Sequence, residues 1–495
     1  MLDADICTRA LGARDPRFDG LFFVGITSTH IYCRPVCPAR VSYPDHRRFF
    51  DSAAAAEGAG FRPCLRCRPE LAPGRAIIDA VPRLANVAAH RIAAGALNGR
   101  SVRQLAHDMG VSERHLRRAL EREVGVSPLE LAQTHPLLLA KRLLADTSLS
   151  VTRVAYASGF QSLRRFNAVF RERYRMSPTA LRRGTRSLND DRPPAASPAD
   201  SAVDDSPLTL TLAYRPPLAW EDLLETLRQH ALAGVESITH ETYSRTVRLD
   251  GRTGLVTVNR GDARRRRTAS SLTVRLSASL LPVLMPLLAR LRRLFDLDAE
   301  PTVIDAQLMQ GGLEDLVAAR PGMRLPGAFD GFETALALLV DNPRQIIEAY
   351  GEPFDAGDGS LTYLAPTAVT ISSASVDAIV RLGADPLRAS ALVALAKLVV
   401  AGALDLEPGS DVDETYRTLR EAGIDDALAT TILMRALQWP DAFPSSDESL
   451  QSLAGASSQA ELEQRAESWR PWRAYAALHF ELARSHDVRE RAMSA

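Results

Sequence analysis

Lysine is nearly absent from this chain of 495 residues. Only two of its 60 basic side chains are lysines, Lys141 and Lys397, and the others are arginines. The 60 acidic side chains bring the net charge to zero, but the charge is unevenly distributed. Residues 1–183 carry 29 basic and 16 acidic side chains, a net charge of +13, so the remainder carries −13. The basic part is expected to bind a polyanion.

Long apolar runs and a leader-like N-terminus are also missing. The longest apolar segments contain Pro282, Pro286, Arg388 or Lys397, so none provides the roughly 18 apolar residues that a membrane span needs. The first five residues include two aspartates and lack the basic region that opens a secretory signal. We therefore expect a cytoplasmic protein without a membrane partner.

Cysteine is confined to the first 67 residues, which hold all five cysteines. That is too local for a disulfide framework in a chain of this length. Four of them form two close pairs, Cys33/Cys37 and Cys64/Cys67, and paired thiolates on tight loops suit one tetrahedral Zn²⁺. The spacing predicts a four-cysteine zinc site. It leaves two roles open, a structural module or a reactive centre, because four thiolates around one dication stay electron-rich.

Composition divides the chain and predicts a multidomain, mainly α fold with α+β parts. A stretch rich in Pro, Ser, Asp and Ala at 184–206 predicts a flexible linker. Before it we expect a small zinc domain (1–75) and a helical bundle (76–183). After it, alternating strand patterns predict an antiparallel α+β domain (207–300), followed by a helical domain (301–495).

An internal repeat begins at Ser101 and again at Ser150, and each copy has the pattern of a helix-turn-helix. Ser112 and Ser162 are predicted to start the second helix of each copy. Side chains near the N-terminus of such a helix reach base edges in the major groove, although a solvated basic face is the alternative. The predicted DNA contacts are Arg114, His115, Arg117 and Arg118 in the first copy and Gln161, Ser162, Arg164, Arg165 and Asn167 in the second.

The segments IYCRPVCPAR and FRPCLRCRPE resemble the zinc domain of Ada-type alkylation-response proteins, and the helical bundle resembles their AraC-type tandem helix-turn-helix domain. In that family the first cysteine irreversibly takes a methyl group from a methylated DNA phosphate. The resemblance implies that Cys33 is the methyl acceptor and that Arg40 lies near the DNA backbone. It also implies transcriptional activation, with double-stranded DNA and RNA polymerase as partners. An inert zinc module is the alternative.

From about Pro207 to Ala495 the chain resembles AlkA-type alkyl-base DNA glycosylases of the helix-hairpin-helix superfamily. The segment 421–429 has the position of the hairpin, and 441–447 that of the loop with the catalytic aspartate. The resemblance implies a DNA-3-methyladenine glycosylase that needs no cofactor, with Asp447 as the catalytic residue and Trp472 in the base pocket.

Base excision places two chemical demands on these residues. The damaged base must leave the helix, and a carboxylate must then stabilise positive charge on the sugar or activate water. Asp447 suits that role but also suits the N-cap of a helix starting at Glu448, and Trp472 also suits packing. Strand cleavage would require an amine, and Lys397, the lysine of this half, lies in an apolar pattern. We therefore expect a monofunctional glycosylase.

The hairpin departs from the family's typical Gly-Ile-Gly-Pro-Trp-Thr-Ala, because Asp425, Asp426 and Ala427 follow Gly-Ile. Two carboxylates at this turn oppose the approach of a DNA phosphate. A Gly-Gln-rich segment of the family is replaced by 341–344, and a pocket tyrosine by Thr431. Two hypotheses remain. One is a fused repair protein, and the other is a methylation-activated regulator whose second half is catalytically degenerate.

Overall fold

The computed structural model describes residues 2–39, 42–74, 83–187, 206–261, 270–357 and 359–493. It contains two compact units. The first unit comprises Met1–Arg215, Leu249–Gly254 and Gly261–Ala289, and the second comprises Pro216–Arg248, Leu255–Arg260 and Arg290–Ala495. Among the described helices we find none with the length and apolarity that crossing a bilayer requires.

The first 74 residues combine a small sheet with short helices. Strand β1 is antiparallel to β2 and β3, β2 is parallel to β4, and the sheet order is β3-β1-β2-β4. The elements are α1 (Ala4–Ala13), β1 (Phe23–Ile26), β2 (Ile31–Cys33), β3 (Arg47–Phe50), α2 (Ala53–Gly58) and β4 (Arg62–Pro63), with 3-10 helices at Pro16–Phe18, Pro44–His46 and Pro69–Leu71. Parallel strands end at the same sheet edge, so Cys33 at the end of β2 and Cys64 after β4 lie close together.

Seven helices follow, and they confirm the paired helix-turn-helix. They are α3 (Arg83–Ala93), α4 (Val102–Asp108), α5 (Glu113–Glu123), α6 (Pro128–Asp146), α7 (Val151–Ala157), α8 (Leu163–Tyr174) and α9 (Pro178–Ser187). Gly110 and Gly159 occupy the two turns at φ +65° and +87°, a backbone region that favours glycine. Helix α9 extends to Ser187, into the predicted linker, of which 188–205 lie outside the described residues.

The sequence of each copy explains why its helices start where they do. Four serines are N-caps whose hydroxyls accept a backbone N–H of the first turn, which satisfies a donor that the helix leaves unpaired. The buried faces of α5 and α8 carry apolar residues four positions apart, as a helix packed on one side requires. The capping serines are Ser101, Ser112, Ser150 and Ser162, and the buried pairs are Leu116/Leu120 and Phe166/Phe170.

Buried ion pairs join the cysteine-bearing segment to α6. The Lys141 ammonium is paired with the Glu70 carboxylate, both side chains are only 1% exposed, and Lys141 Nζ also donates to the Cys64 carbonyl at 3.4 Å. Arg68 donates to both oxygens of Asp146 at 2.6 and 2.8 Å. These contacts hold the second cysteine pair against the helix that links the two repeats.

Strands and helices alternate at first after residue 206, and helices dominate later, as predicted. Strands β5 to β9 form a sheet in the order β5-β9-β8-β7-β6. The elements before residue 310 are β5 (Leu208–Ala213), α10 (Trp220–Gln229), β6 (Glu236–Ile238), β7 (Thr242–Leu249), β8 (Arg252–Asn259), β9 (Ser271–Leu276), a 3-10 helix (Ala278–Val283), α11 (Leu284–Leu294) and α12 (Pro301–Leu308).

The helical part continues with a π-helix (Met309–Leu313), α13 (Glu314–Ala319), α14 (Gly331–Leu339), α15 (Arg344–Tyr350), a short hairpin of β10 (Glu352–Pro353) and β11 (Tyr363–Leu364), α16 (Ala368–Ser372), α17 (Val376–Arg381), α18 (Pro386–Val400), α19 (Val412–Glu421), α20 (Asp426–Ala436), α21 (Glu448–Leu453), α22 (Gln459–Ala466), a 3-10 helix (Glu467–Trp469) and α23 (Arg473–Met493). A core cluster of aliphatic side chains packs α14, α18 and α20 together.

Aspartate starts many of these later helices. Five of them begin after an aspartate whose carboxylate accepts backbone N–H groups of the first turn, a favourable arrangement because the N-terminus of a helix carries partial positive charge. Part of the negative charge of this half is therefore used in capping. The capping residues are Asp330, Asp385, Asp411, Asp425 and Asp447.

Removing one member of the buried Lys141–Glu70 pair is expected to be costly. In Glu70→Gln the Lys141 charge stays buried without its carboxylate, and we expect a loss of about 3 kcal/mol in the free energy of unfolding of the first unit. Glu113→Gln removes the exposed partner of Arg117 and should cost less than about 1 kcal/mol. Urea unfolding of both variants and of the parent protein measures these two losses in the free energy of unfolding. Equal losses would contradict the structural importance of the pair.

Candidate functional site

The four predicted ligands converge at one edge of the small sheet. The sulfurs of Cys33, Cys37, Cys64 and Cys67 all lie within 4.8 Å of one another and are buried. Each pair is brought together by a turn, closed by bonds from Cys37 N to the Arg34 carbonyl at 3.1 Å and from Arg68 N to the Cys64 carbonyl at 3.3 Å. Four thiols at this separation fit one tetrahedral Zn²⁺, because Zn²⁺ favours sulfur ligands and buried thiolates need a cation.

The four sulfurs differ in their hydrogen bonds. Cys67 Sγ accepts the Arg34 backbone N–H at 3.4 Å. Within the described ranges we find no backbone N–H that donates to Cys33 Sγ. A donated hydrogen bond stabilises a thiolate and weakens its attack on carbon. The Arg34 N–H therefore makes Cys67 a weaker nucleophile than a sulfur without a donor.

A buried arginine supports the same loop. Arg34 donates to Asp19 Oδ1 at 2.8 Å from Nε and to the Cys67 carbonyl at 3.1 Å from Nη1. The fifth cysteine, Cys7, lies outside the cluster, packed against Phe22, and burial together with the charge of Asp51 raises its pKa to about 11. Arg40, predicted near the DNA backbone, lies outside the described residues.

The predicted DNA-contacting side chains lie at the starts of α5 and α8. Two of them are engaged within their own helix: Ser162 caps α8 by accepting the Arg165 N–H, and Asn167 donates to the Leu163 carbonyl at 3.0 Å. Arg117 lies 3.6 Å from its helical neighbour Glu113. The exposed side chains are Arg114, His115, Arg117 and Arg118 on α5, Gln161 and Ser162 directly before α8, and Arg164 and Arg165 on α8.

In the second unit, Asp447 is the N-cap of α21. Its Oδ1 accepts the backbone N–H groups of Ser449 at 2.7 Å and Leu450 at 3.2 Å. The capping alternative raised by the sequence is thus present. It uses a single oxygen, and in the described part of the chain no donor reaches Oδ2. Capping therefore fixes the carboxylate and leaves its second oxygen for other chemistry.

The loop before Asp447 is held at both ends. Asp441 accepts from Arg473 at 2.7 Å and from Arg470 at 2.8 Å. The Ser445 hydroxyl donates to the Glu463 carboxylate at 2.7 Å. The Asp447 N–H donates to the Pro444 carbonyl at 3.0 Å, and this bond closes a turn that includes Ser446. The backbone that carries Asp447 is consequently fixed before any substrate arrives.

The hairpin turn between α19 and α20 contains Gly423, whose φ of +88° favours glycine. Asp425 caps α20 by accepting the Leu428 N–H at 2.8 Å. Asp426 accepts hydrogen bonds from Tyr416 Oη and, at 2.5 Å, from Ser446 Oγ. Both aspartates that depart from the family pattern therefore have local partners.

The remaining predicted residues have more ordinary environments. Trp472 is 7% exposed and contacts Tyr475 edge to face, with ring centroids 5.8 Å apart, so packing accounts for its position. Thr431 donates to the Ala427 carbonyl within α20 at 2.9 Å. Lys397, expected in an apolar environment, is exposed on α18.

Sequence reasoning missed one acidic side chain near the candidate catalytic residue. Burial raises the pKa of Glu481 to about 7; the nearby guanidinium of Arg435 opposes this shift, and the charge of Asp447 adds to it. Glu481 lies on α23, far from Asp447 in sequence, and no motif marks it. Its nearness to Asp447 depends on the packing of α21 against α23.

Three protein-family models match successive parts of the chain. The metal binding domain of Ada matches residues 6–70, a helix-turn-helix domain matches 105–184, and the AlkA N-terminal domain matches 209–330. The matched ranges contain the cysteine cluster, most of the paired helix-turn-helix, and the strands β5 to β9.

Individual proteins extend this similarity. A probable bifunctional transcriptional activator/DNA repair enzyme AlkA from Mycobacterium tuberculosis (strain CDC 1551 / Oshkosh) is 33% identical over 507 residues, covering 99% of this chain and 98% of that protein. DNA-3-methyladenine glycosylase 2 of Escherichia coli (strain K12) is 32% identical over 54% of this chain and 95% of its own length. The bifunctional transcriptional activator/DNA repair enzyme Ada of the same strain is 29% identical over 36% and 48%.

Zinc content tests the four-cysteine centre. Cys64→Ser replaces a thiolate of the cluster with a hydroxyl that is a poor zinc ligand, so we expect the purified variant to lack zinc, whereas the parent protein should bind one Zn²⁺ per chain. Cys7→Ser, a buried cysteine outside the cluster, is the matched control and should retain the metal. Elemental analysis measures both. Zinc retained at full occupancy in Cys64→Ser would rule out the proposed ligand set.

Proposed function

Because this chain belongs to the family of the bifunctional transcriptional activator/DNA repair enzymes, we propose that it repairs alkylated DNA by two reactions and activates transcription in response to the damage. The first reaction transfers a methyl group from a DNA phosphotriester to Cys33. The second hydrolyses the bond between deoxyribose and an alkylated base of the 3-methyladenine type. In a bacterial cytoplasm such a protein works on the nucleoid.

The methyl transfer is supported by the buried four-cysteine cluster within the segment that matches the metal binding domain of Ada. Cys33, Cys37, Cys64 and Cys67 would hold one Zn²⁺, which would keep their thiols deprotonated at neutral pH. Cys33 Sγ attacks the methyl carbon, the new S–C bond forms as the C–O bond breaks, and the phosphodiester leaves with the electron pair. The observation that carries this assignment is that Cys33, the first cysteine of the cluster, is the most exposed of the four at 9%, and that its Sγ accepts no backbone hydrogen bond from the described residues.

The product of this reaction differs from the starting centre in charge. A methylated Cys33 is a neutral thioether, so the cluster has one negative charge fewer. Repulsion between the cluster and DNA phosphates therefore falls, and binding to DNA becomes stronger. The buried contacts of Arg68 and Lys141 connect this centre to the helices that read DNA.

Transcriptional activation is supported by the exposed side chains at the starts of α5 and α8. Arginine recognises guanine through two hydrogen bonds, and glutamine recognises adenine in the same way. Two such helices in one chain suit adjacent major grooves. We assign the promoter contacts to these helices and propose RNA polymerase as the partner that the DNA-bound protein recruits.

Base excision is supported by the arrangement of Asp447. Its Oδ1 is held by two backbone N–H groups, which orient the carboxylate, and Oδ2 has no donor among the described residues. As the glycosidic bond breaks, positive charge develops on the sugar, and an ionised carboxylate stabilises it without reorganising. The same oxygen is able to accept a proton from the attacking water.

Mass spectrometry of the protein tests the methyl acceptor. After incubation with an oligonucleotide that contains one methyl phosphotriester, we expect a single methyl group on the peptide that contains Cys33. The reaction should stop at one methyl group per chain, because the thioether is no longer a nucleophilic thiolate and does not release its methyl group. Cys7→Ser should behave as the parent protein does. Methylation of Cys37, Cys64 or Cys67 in place of Cys33 would contradict the assignment.

Release of 3-methyladenine from alkylated duplex DNA tests the catalytic carboxylate. Asparagine is also a good N-cap, so Asp447→Asn should fold normally, yet it lacks the charge, and we expect its rate of release to fall by at least about 10²-fold. Asp411→Asn, an N-cap of α19 with the same chemistry, is the matched control and should keep the rate. Equal rates for Asp447→Asn and the parent would exclude Asp447. No release by the parent would favour a catalytically degenerate second half.

A further inference from the structure

The proposed function leaves the two aspartates of the hairpin turn without a role. A carboxylate that faced solvent at this turn would repel an approaching DNA phosphate. The Asp425 carboxylate caps α20, and this contact with the helix N-terminus compensates its charge. Asp426 is the first residue of α20, where a second capping carboxylate is not needed, so its presence requires another explanation.

Asp426 connects three elements of the second unit. Its Oδ1 accepts a hydrogen bond from Tyr416 on α19, and its Oδ2 accepts one from Ser446 Oγ at 2.5 Å. Burial opposes ionisation of Asp426, but the hydrogen bonds from Ser446 and Tyr416 lower its pKa below the usual value. The side chain is thus an anion that accepts two hydroxyl hydrogen bonds, and such charge-assisted bonds are about twice as strong as neutral ones.

Ser446 immediately precedes Asp447, so the hydrogen bond between Ser446 and Asp426 affects where Asp447 lies. The turn from Pro444 to Asp447 is closed by one backbone hydrogen bond of 3.0 Å. Anchoring the Ser446 side chain to α20 fixes the middle of that turn. The position of the Asp447 carboxylate relative to the hairpin turn before α20 then depends on Asp426.

We infer that Asp426 is a positioning residue for base excision, which orients Asp447 through Ser446. This inference rests on the proposed function of Asp447. In this turn, which resembles a phosphate-binding hairpin, the charge of Asp426 weakens the attraction for DNA, and the hydrogen bond that it accepts from Ser446 connects the turn rigidly to the Asp447 loop. Tyr416 completes the arrangement, because its hydroxyl occupies the carboxylate oxygen that Ser446 does not use.

Steady-state kinetics of 3-methyladenine release test this role. Asp426→Asn keeps the shape of the side chain and removes the charge, so we expect kcat to fall about tenfold, as a slightly misplaced catalytic group predicts, while KM falls only as far as the loss of one negative charge from the turn accounts for. Ser446→Ala should reproduce the loss, Ser446→Thr should restore kcat because it keeps the hydroxyl, and the double variant Asp426→Asn/Ser446→Ala should lose no more than either single variant.

Asp425→Asn distinguishes repulsion of DNA by the charge of the turn from positioning of Asp447. It removes the same charge from the same turn, and Asp425 has no bond to Ser446, so we expect an effect on KM and not on kcat. If Asp426→Asn instead lowers KM and leaves kcat unchanged, Asp426 acts only by repelling DNA and the inference is wrong. Ser446→Ala with an unchanged kcat would also overturn it.

Hydrogen exchange without DNA separates this inference from the proposed function. The Ser449 and Leu450 amide protons are bonded to Asp447, so a loosened turn should exchange them several-fold faster in Asp426→Asn than in the parent chain. This result is expected even if the parent releases no base, in which case only the proposed function fails. Unchanged exchange at both amides would contradict the positioning role whatever the activity.

Discussion

Compensation of buried charge is the constraint on which both candidate sites depend. Four buried thiolates within 4.8 Å of one another require a dication, and the loop that carries them is braced by the buried pair of Arg34 and Asp19. Lys141 and Glu70 form a second buried pair where the cysteine-bearing segment meets α6. In the second unit Arg245 is buried against Glu333 and the ring of Phe329. Ion pairs of this kind are costly to break, so they define one arrangement of the chain.

The reactive atom that we propose at each site is one that has no backbone hydrogen-bond donor among the described residues. Cys33 Sγ receives no backbone N–H from the described residues, whereas Cys67 Sγ accepts one from Arg34. The Asp447 carboxylate is similar in this respect, because Oδ1 accepts the N–H groups at the start of α21 and no donor among the described residues reaches Oδ2. Capping and catalysis are therefore compatible at this residue. Preorganisation of this kind costs nothing during the reaction, because the supporting bonds are already formed.

Sequence patterns predicted features that depend on local spacing. The cysteine pairs, the capping serines of the repeat and its buried aliphatic and aromatic positions all follow from periodicity and from ligand or cap chemistry. The hydrogen bonds of Asp426 and the burial of Glu481 near Asp447 were not predictable, because each depends on tertiary packing and not on local spacing. The sequence even favoured the opposite view of Asp426, a carboxylate that repels DNA, since the hydroxyls of Tyr416 and Ser446 become its partners only on packing.

We propose that one chain performs a stoichiometric and a catalytic repair reaction. Both reactions are followed together in one mixture of the full chain with excess duplex DNA that carries a methyl phosphotriester and 3-methyladenine. We expect methylation to stop at one group per chain, on Cys33, while free 3-methyladenine continues to accumulate over many turnovers. Release that ends after one base per chain, or methylation without any release, would contradict this proposal.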